Sequence, residues 1–184
     1  MKKIAFLTML CLIVLGMVWG QEPTTAKEYF AMGMDYMDSD YDRAIEAFTA
    51  ALKIDPTIGN FGGSAYRYRS DCYFEKGDLN NALKDINQAI KHNPYDPYLY
   101  QSRAYIYRDK KDYNKALADI KKAMYYCQER PYLAIELLRD RGEIYYLKKD
   151  YKKAIADLEG ASSSIEGAAE LLEEVRQAQS AGKR

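Results

Sequence analysis

The sequence has one histidine, three cysteines and no net charge, and each scarcity closes off a class of function. His92 stands just before Asn93-Pro94 and reads as a charge at a helix C-terminus. With no second histidine, neither a nucleophilic triad nor a metal cluster can be built around it. HExxH, GxSxG, Walker and GxGxxG patterns are all missing. The glycine-rich run Gly59-Asn60-Phe61-Gly62-Gly63 follows a helical stretch without phosphate-cradle spacing, so it reads as a linker. The acids are scattered over solvated faces, and no pair falls in a recognisable cleft. These absences predict no catalytic residue, no metal and no cofactor: not an enzyme.

The N-terminus reads as an export signal. Lys2 and Lys3 precede an apolar run from Ile4 to Val18, small residues follow, and polar sequence begins at Gln21. A retained anchor would need about 20 apolar residues, and this run is shorter. Cys11 lies inside the run after Leu10, which does not suit a lipid-attachment site. Cleavage after Gly20 is expected, giving a secreted or periplasmic protein that meets a membrane only through a partner. Without residues 1–20 the Lys and Arg total falls from 27 to 25 against 27 acids, a net charge of −2. Such balance lacks the footprint of a nucleic-acid binder. Cys72 and Cys127 remain; the compartment permits a bridge, but two isolated cysteines make no disulfide framework and read as small buried residues.

What the chain does have is repetition. Four segments superimpose: AMGMDYMDSDYDRAIEAFTAALKIDP, RSDCYFEKGDLNNALKDINQAIKHNP, RAYIYRDKKDYNKALADIKKAM and RGEIYYLKKDYKKAIADLEGAS. A small residue (Gly33, Ser70, Ala104, Gly142) precedes Tyr36, Tyr73, Tyr107 and Tyr145 by three. After a turn come Tyr41, Leu79, Tyr113 and Tyr151, then Ala44, Ala82, Ala116 and Ala154. Phe48, Ile86, Ile120 and Leu158 follow four residues on, and Ala51, Ala89, Ala123 and Ala161 three beyond. Spacings of three and four place these residues on one helix face. The small columns let paired helices approach closely. Asp40, Asp78, Asp112 and Asp150 mark the turns and can cap the second helix of each pair. One pair cannot bury its apolar face alone, so neighbours must stack, and most of the eighteen tyrosines are accounted for as packing.

These columns resemble the tetratricopeptide repeat, a helix-turn-helix of about 34 residues. The resemblance implies an all-α solenoid, four helix-turn-helix repeats in a right-handed superhelix. The expected organisation is a signal peptide (1–20), a short segment (21–25), and four repeats over 26–162, at about 26–57, 63–95, 97–128 and 132–162. A C-terminal capping helix (163–181), opened by a Ser163/Glu166 capping box, and a frayed tail (182–184) complete it. The repeat alanines lie 38, 34 and 38 residues apart, so the first and last intervals hold about four extra residues between units.

Charge repeats as well. Arg69, Arg103 and Arg141 each have an acid sixteen residues later, Asp85, Asp119 and Asp157, whereas the first unit has Met32 and Ala47 at those positions. Charges that appear and vanish together predict structural ion pairs within or between units; a ligand-binding arginine ladder is the alternative.

In the tetratricopeptide family the first helix of each unit lines a concave groove. Carried over, that implies partner-facing sites at Phe30, Met34 and Met37, at Arg67, Asp71 and Phe74, at Tyr98, Gln101, Tyr105 and Arg108, and at Arg139, Glu143 and Tyr146. The aromatic ones, Phe74, Tyr98, Tyr105 and Tyr146, suit peptide anchoring or packing between repeats, and Tyr105 and Phe74 are expected to be removable without loss of stability. The carboxylate clamp of some relatives is not expected, because Phe30 and Met34 stand where two of its polar residues belong. The expected function is a non-catalytic protein–protein interaction module of the cell envelope, its partner an unidentified envelope protein or peptide. Two alternatives stay open: a self-associating scaffold using the Met32 side of the first repeat, and an accessory small-ligand carrier subunit of an envelope transporter.

Overall fold

The computed structural model describes residues 23–59, 63–127, 130–165 and 167–182, and the expected signal peptide lies outside them. Among the described residues there are nine α-helices and no strand: α1 (Ala26–Tyr36), α2 (Tyr41–Ile54), α3 (Ser64–Glu75), α4 (Leu79–His92), α5 (Pro97–Asp109), α6 (Tyr113–Tyr126), α7 (Pro131–Leu147), α8 (Tyr151–Ala161) and α9 (Ala168–Ala181). The first eight form four antiparallel pairs, each packed on the next, and α9 closes the array against α8.

The repeated residues explain the pairing. Gly33 lets α1 lie so close to α2 that a Cβ there would fall 2.6 Å from the Phe48 ring; at Gly142 it would meet Leu158 at 2.8 Å. Ser70 occupies the same column and donates its hydroxyl to the carbonyl of Ala82 at 2.9 Å. The repeated alanines of the second helices (Ala44, Ala82, Ala116, Ala154 and Ala51, Ala89, Ala123, Ala161) and Phe48, Ile86, Ile120 and Leu158 are at most 1% exposed. Asp40, Asp78 and Asp150 accept from backbone amides of Arg43, Asn81 and Lys153 and so cap α2, α4 and α8. Asp112 instead accepts from the ammonium of Lys115. The extra residues before the fourth unit lengthen a helix: Pro131 starts α7 at its first turn, where its missing N–H has no intrahelical partner to lose, and α7 reaches 17 residues.

Each of the last three pairs turns through one left-handed residue, Gly77 (φ 75°), Lys111 (φ 61°) and Lys149 (φ 62°). The following aspartate amide reaches back to the carbonyl of the repeat tyrosine, at 2.8 Å for Asp78 and Asp112 and 2.9 Å for Asp150. This closing geometry favours glycine, which bears no Cβ penalty at positive φ. The Lys149→Gly variant is therefore expected to be more stable by up to ~1 kcal/mol in urea unfolding. A destabilised variant would show that the lysine side chain matters more than the turn.

The cap differs from the sequence expectation. α9 begins at Ala168, five residues after Ser163, with Gly167 (φ 76°) as its N-cap and no side-chain cap. Ser163 lies in a turn and contacts the Ser164 hydroxyl at 3.4 Å, while Glu166 falls outside the described residues. The chain must reverse before it can lay Ala168, Leu172 and Val175 on α8, and a glycine at positive φ makes that reversal.

Candidate partner-binding site

The periodic arginines are committed to the scaffold. Arg69 binds Asp85 through two nitrogens at 2.6 and 2.9 Å, Arg103 binds Asp119 at 2.7 and 2.7 Å, and Arg141 binds Asp157 at 2.7 and 2.7 Å. The remaining nitrogen reaches the second helix of the preceding unit: Thr49 Oγ1 at 2.8 Å, Asn87 Oδ1 at 2.7 Å and the Met124 sulfur at 3.3 Å. Each guanidinium thus joins three helices. The first unit has no described unit before it, which accounts for Met32 and Ala47. A second inter-unit series was not foreseen: Lys76 donates to Asp42, Lys110 to Asn80 at 2.8 Å and Lys148 to Asn114. Its signal is a lysine three residues after the repeat tyrosine, with an Asp or Asn just after the start of the preceding second helix.

The remaining candidates share the first-helix face but differ in how free they are. Phe30 packs edge-on to Phe48 and Tyr68, with centroids 5.7 and 5.9 Å away, and Met37 lies against the same cluster. Met34 is exposed. On α5, Gln101 and Tyr105 are tied to Asp140 of α7, a carboxylate only 1% exposed. Asp140 Oδ2 accepts from Gln101 at 2.8 Å and from the Tyr105 hydroxyl at 2.7 Å, and Oδ1 accepts from Arg139 at 2.9 Å. Burial, then the Asp140 charge, pushes the Tyr105 hydroxyl well above the usual tyrosine range, so it stays a donor. Arg108 faces Glu143 at 3.3 Å, and Tyr146 donates to Glu174 of the cap at 2.8 Å. Tyr105 is therefore no dispensable groove residue. Nothing periodic in the sequence pointed to Asp140, whose place is taken by Ser102 and Tyr68 in the two preceding units.

What stays open lies between α3 and α5. A cavity of about 330 Å³ is lined by Arg67, Tyr68, Asn93, Asp96, Tyr98 and Arg130, among others. Two arginines flank it, each over a ring: Arg67 5.1 Å from the Tyr68 centroid and Arg130 5.3 Å from that of Tyr98. Tyr98 is 41% exposed. Among the described residues the Arg67 Nε is buried without a hydrogen-bond partner and makes only a long ion pair with Asp71, at 3.6 Å. One turn along α3 a smaller cleft of about 40 Å³ is bounded by Asp71, Phe74, Ser102 and Tyr105.

Desolvation raises the Asp71 carboxyl from its ordinary 3.8 to about 6, against the lowering effect of Arg67. The folded state thus holds this proton up to about pH 6, where the unfolded chain has released it. The contribution favours folding below pH 4 and is lost as pH rises through 6. An Asp71→Asn variant is expected to gain about 1 kcal/mol over wild type at pH 7.5, discounted for a side chain one-third exposed, and nothing at pH 4. Urea unfolding of both proteins at the two pH values measures the difference, and a pH-independent difference would contradict it.

Cys72 and Cys127 are free thiols, both buried; burial pushes the Cys72 thiol up to about 11 and raises Cys127 as well, so neither is a poised nucleophile. His92 stacks on Tyr66 with centroids 5.7 Å apart. Among the described residues no three metal-ligating side chains cluster, and no helix is long and apolar enough to cross a membrane.

Comparison with known proteins places residues 63–96, and residues 39–58 and 97–130, in tetratricopeptide repeat families. A 71-residue stretch is 38% identical to the heat shock protein STI1 of Saccharomyces cerevisiae; it spans 38% of this chain and only 12% of that relative. Among solved structures, MamA superposes with a TM-score of 0.68 at 20% identity, covering 77% of this chain and 79% of that one. A tetratricopeptide repeat protein from Parabacteroides merdae gives 0.67 at 21% identity, over 83% of this chain and 60% of that one. At such identities the structural likeness establishes the fold: a tetratricopeptide-type helical solenoid.

Proposed function

We propose that this chain, an array of tetratricopeptide repeats, is a non-catalytic protein-binding module that holds an extended segment of another protein in the furrow between α3 and α5. The observation that carries this reading is the 330 Å³ cavity with Tyr98 exposed at its wall and a buried Arg67 Nε that has no hydrogen-bond partner among the described residues. Elsewhere the first-helix face is stitched to itself or to the cap: Gln101, Tyr105 and Arg139 to Asp140, Arg108 to Glu143, Tyr146 to Glu174 of α9. A rigid aromatic beside an arginine fork suits anchoring a side chain or backbone carbonyl of a bound segment. The partner is a protein of the cell envelope, in keeping with the N-terminal export signal read from the sequence. Intact mass of the exported chain, expected to begin at Gln21, tests that location.

The function itself is tested by affinity capture from envelope extract with the exported protein, beside its Tyr98→Ala and Arg67→Ala variants. A protein held by wild type and lost from both variants, with unfolding midpoints unchanged, supports the furrow. Equal retention by all three places the site elsewhere. The same cavity sits at the small end of the range for small-molecule pockets, roughly 300–1,000 Å³. A small-ligand carrier is thus the second reading, and a bound mass in native mass spectrometry, displaced in the Tyr98→Ala variant, would favour it.

A further inference from the structure

We propose that two copies of this chain pair head to head through the outward face of the first repeat. That face is a concavity of about 350 Å³ lined by Tyr29, Met32 and Tyr36 of α1 and by Arg43, Glu46, Ala47 and Ala50 of α2. In the later units the corresponding surface is covered by the second helix of the preceding unit, as the bonds from Arg69 to Thr49 and from Arg103 to Asn87 show. In those units the surface carries an arginine–aspartate pair, which would be at home in water. The first unit, where no described helix covers the surface, replaces that pair with Met32 and Ala47. Exposed ends of repeat arrays are ordinarily polar. Here the polar pair gives way to half-buried Met32 and buried Ala47 where coverage by the described helices ends, so the face suits an apolar cover.

The two ends of the molecule decide what covers it. At the far end α9 exposes Glu170, Glu173, Glu174, Arg176 and Gln177, with Glu174 held by Tyr146 and Arg176 by Glu159, and among the described residues it offers no apolar concavity to match that of Met32. Stacking head on tail is therefore disfavoured, and head on head remains, a closed two-fold contact. The rim supports it. Arg43 and Glu46 lie three residues apart on α2, both exposed at the edge of the same concavity. Arg43 pairs with Asp40 at 3.5 Å and lies over the Tyr36 ring, 5.5 Å from its centroid, and Glu46 has no ion pair among the described residues. Two antiparallel α2 helices related by a two-fold axis set Arg43 of each copy against Glu46 of the other, so one surface complements itself.

The test is mass by sedimentation equilibrium of the exported protein from low to high micromolar concentration. Wild type is expected to move from monomer to dimer and stop there. Met32→Arg with Ala47→Asp reinstates the pair that three other units fold around, so it is expected to keep its helicity and unfolding midpoint and remain monomeric. Arg43→Glu is expected to weaken the dimer at least about tenfold, and Arg43→Glu with Glu46→Arg to restore it. These two surface variants read the interface independently should the Met32/Ala47 variant fail to fold. A wild type monomeric throughout, an open series of higher oligomers, a dimer indifferent to the Met32/Ala47 variant, or a charge swap that fails to restore pairing would each overturn the proposal.

Discussion

Replacing Arg103 by methionine is expected to destabilise the protein by about 3–5 kcal/mol, because it strands the carboxylate of Asp119, 5% exposed, among apolar neighbours. Replacing Arg103 and Asp119 together, by methionine and alanine, is expected to cost only ~1–2 kcal/mol, the residue of that loss being an Asn87 oxygen left without its donor. The chain already contains the apolar version of this site, since Met32 and Ala47 hold the same two positions in a first unit that folds. Urea unfolding of the four proteins of the cycle gives the coupling directly. Additive losses would mean that the ion pair is incidental to the junction.

Removing the Tyr105 side chain is the second change with a large expected effect. Tyr105→Phe takes one donor from Asp140 and is expected to cost about 2 kcal/mol, the range for a hydrogen bond to a charged group. Tyr105→Ala also removes a half-buried ring that Arg108 covers, for a total of ~4 kcal/mol. Thermal and urea unfolding measure both, and an unchanged midpoint in the alanine variant would show that Gln101 and Arg139 suffice for Asp140. The consequence for function is direct. A binding defect in a Tyr105 variant reports the loss of this network, so Tyr98 and Arg67 are the informative probes of the furrow.

The fold was legible because every helix pair states its own packing: Gly33 opposite Phe48 and Gly142 opposite Leu158 are four-column patterns before they are contacts. The arginines were legible for the same reason, each sixteen residues from its acid in three successive units. The candidate site was less so. The family expectation names the face, but whether a side chain there is free depends on partners two helices away, and these do not repeat. Gln101 and Tyr105 look like Tyr98 in the sequence; only the position of Asp140 separates them. The start of α9 was misplaced because a serine and a glutamate at cap spacing outweighed the glycine after them. The reversal needed to dock Leu172 and Val175 on α8 required the glycine.

The three-helix arginines also bear on how the array comes apart. Opening any later unit pulls its arginine from the helix behind as well as from its own aspartate, so each opening disturbs two neighbours. The junction held by Arg103 joins the second and third units, and α3 and α5, the two walls of the furrow, belong to those same units. A segment seated in the furrow would splint that junction from the outside. The bound partner would then be felt as slower amide exchange in α6, a helix that does not line the furrow.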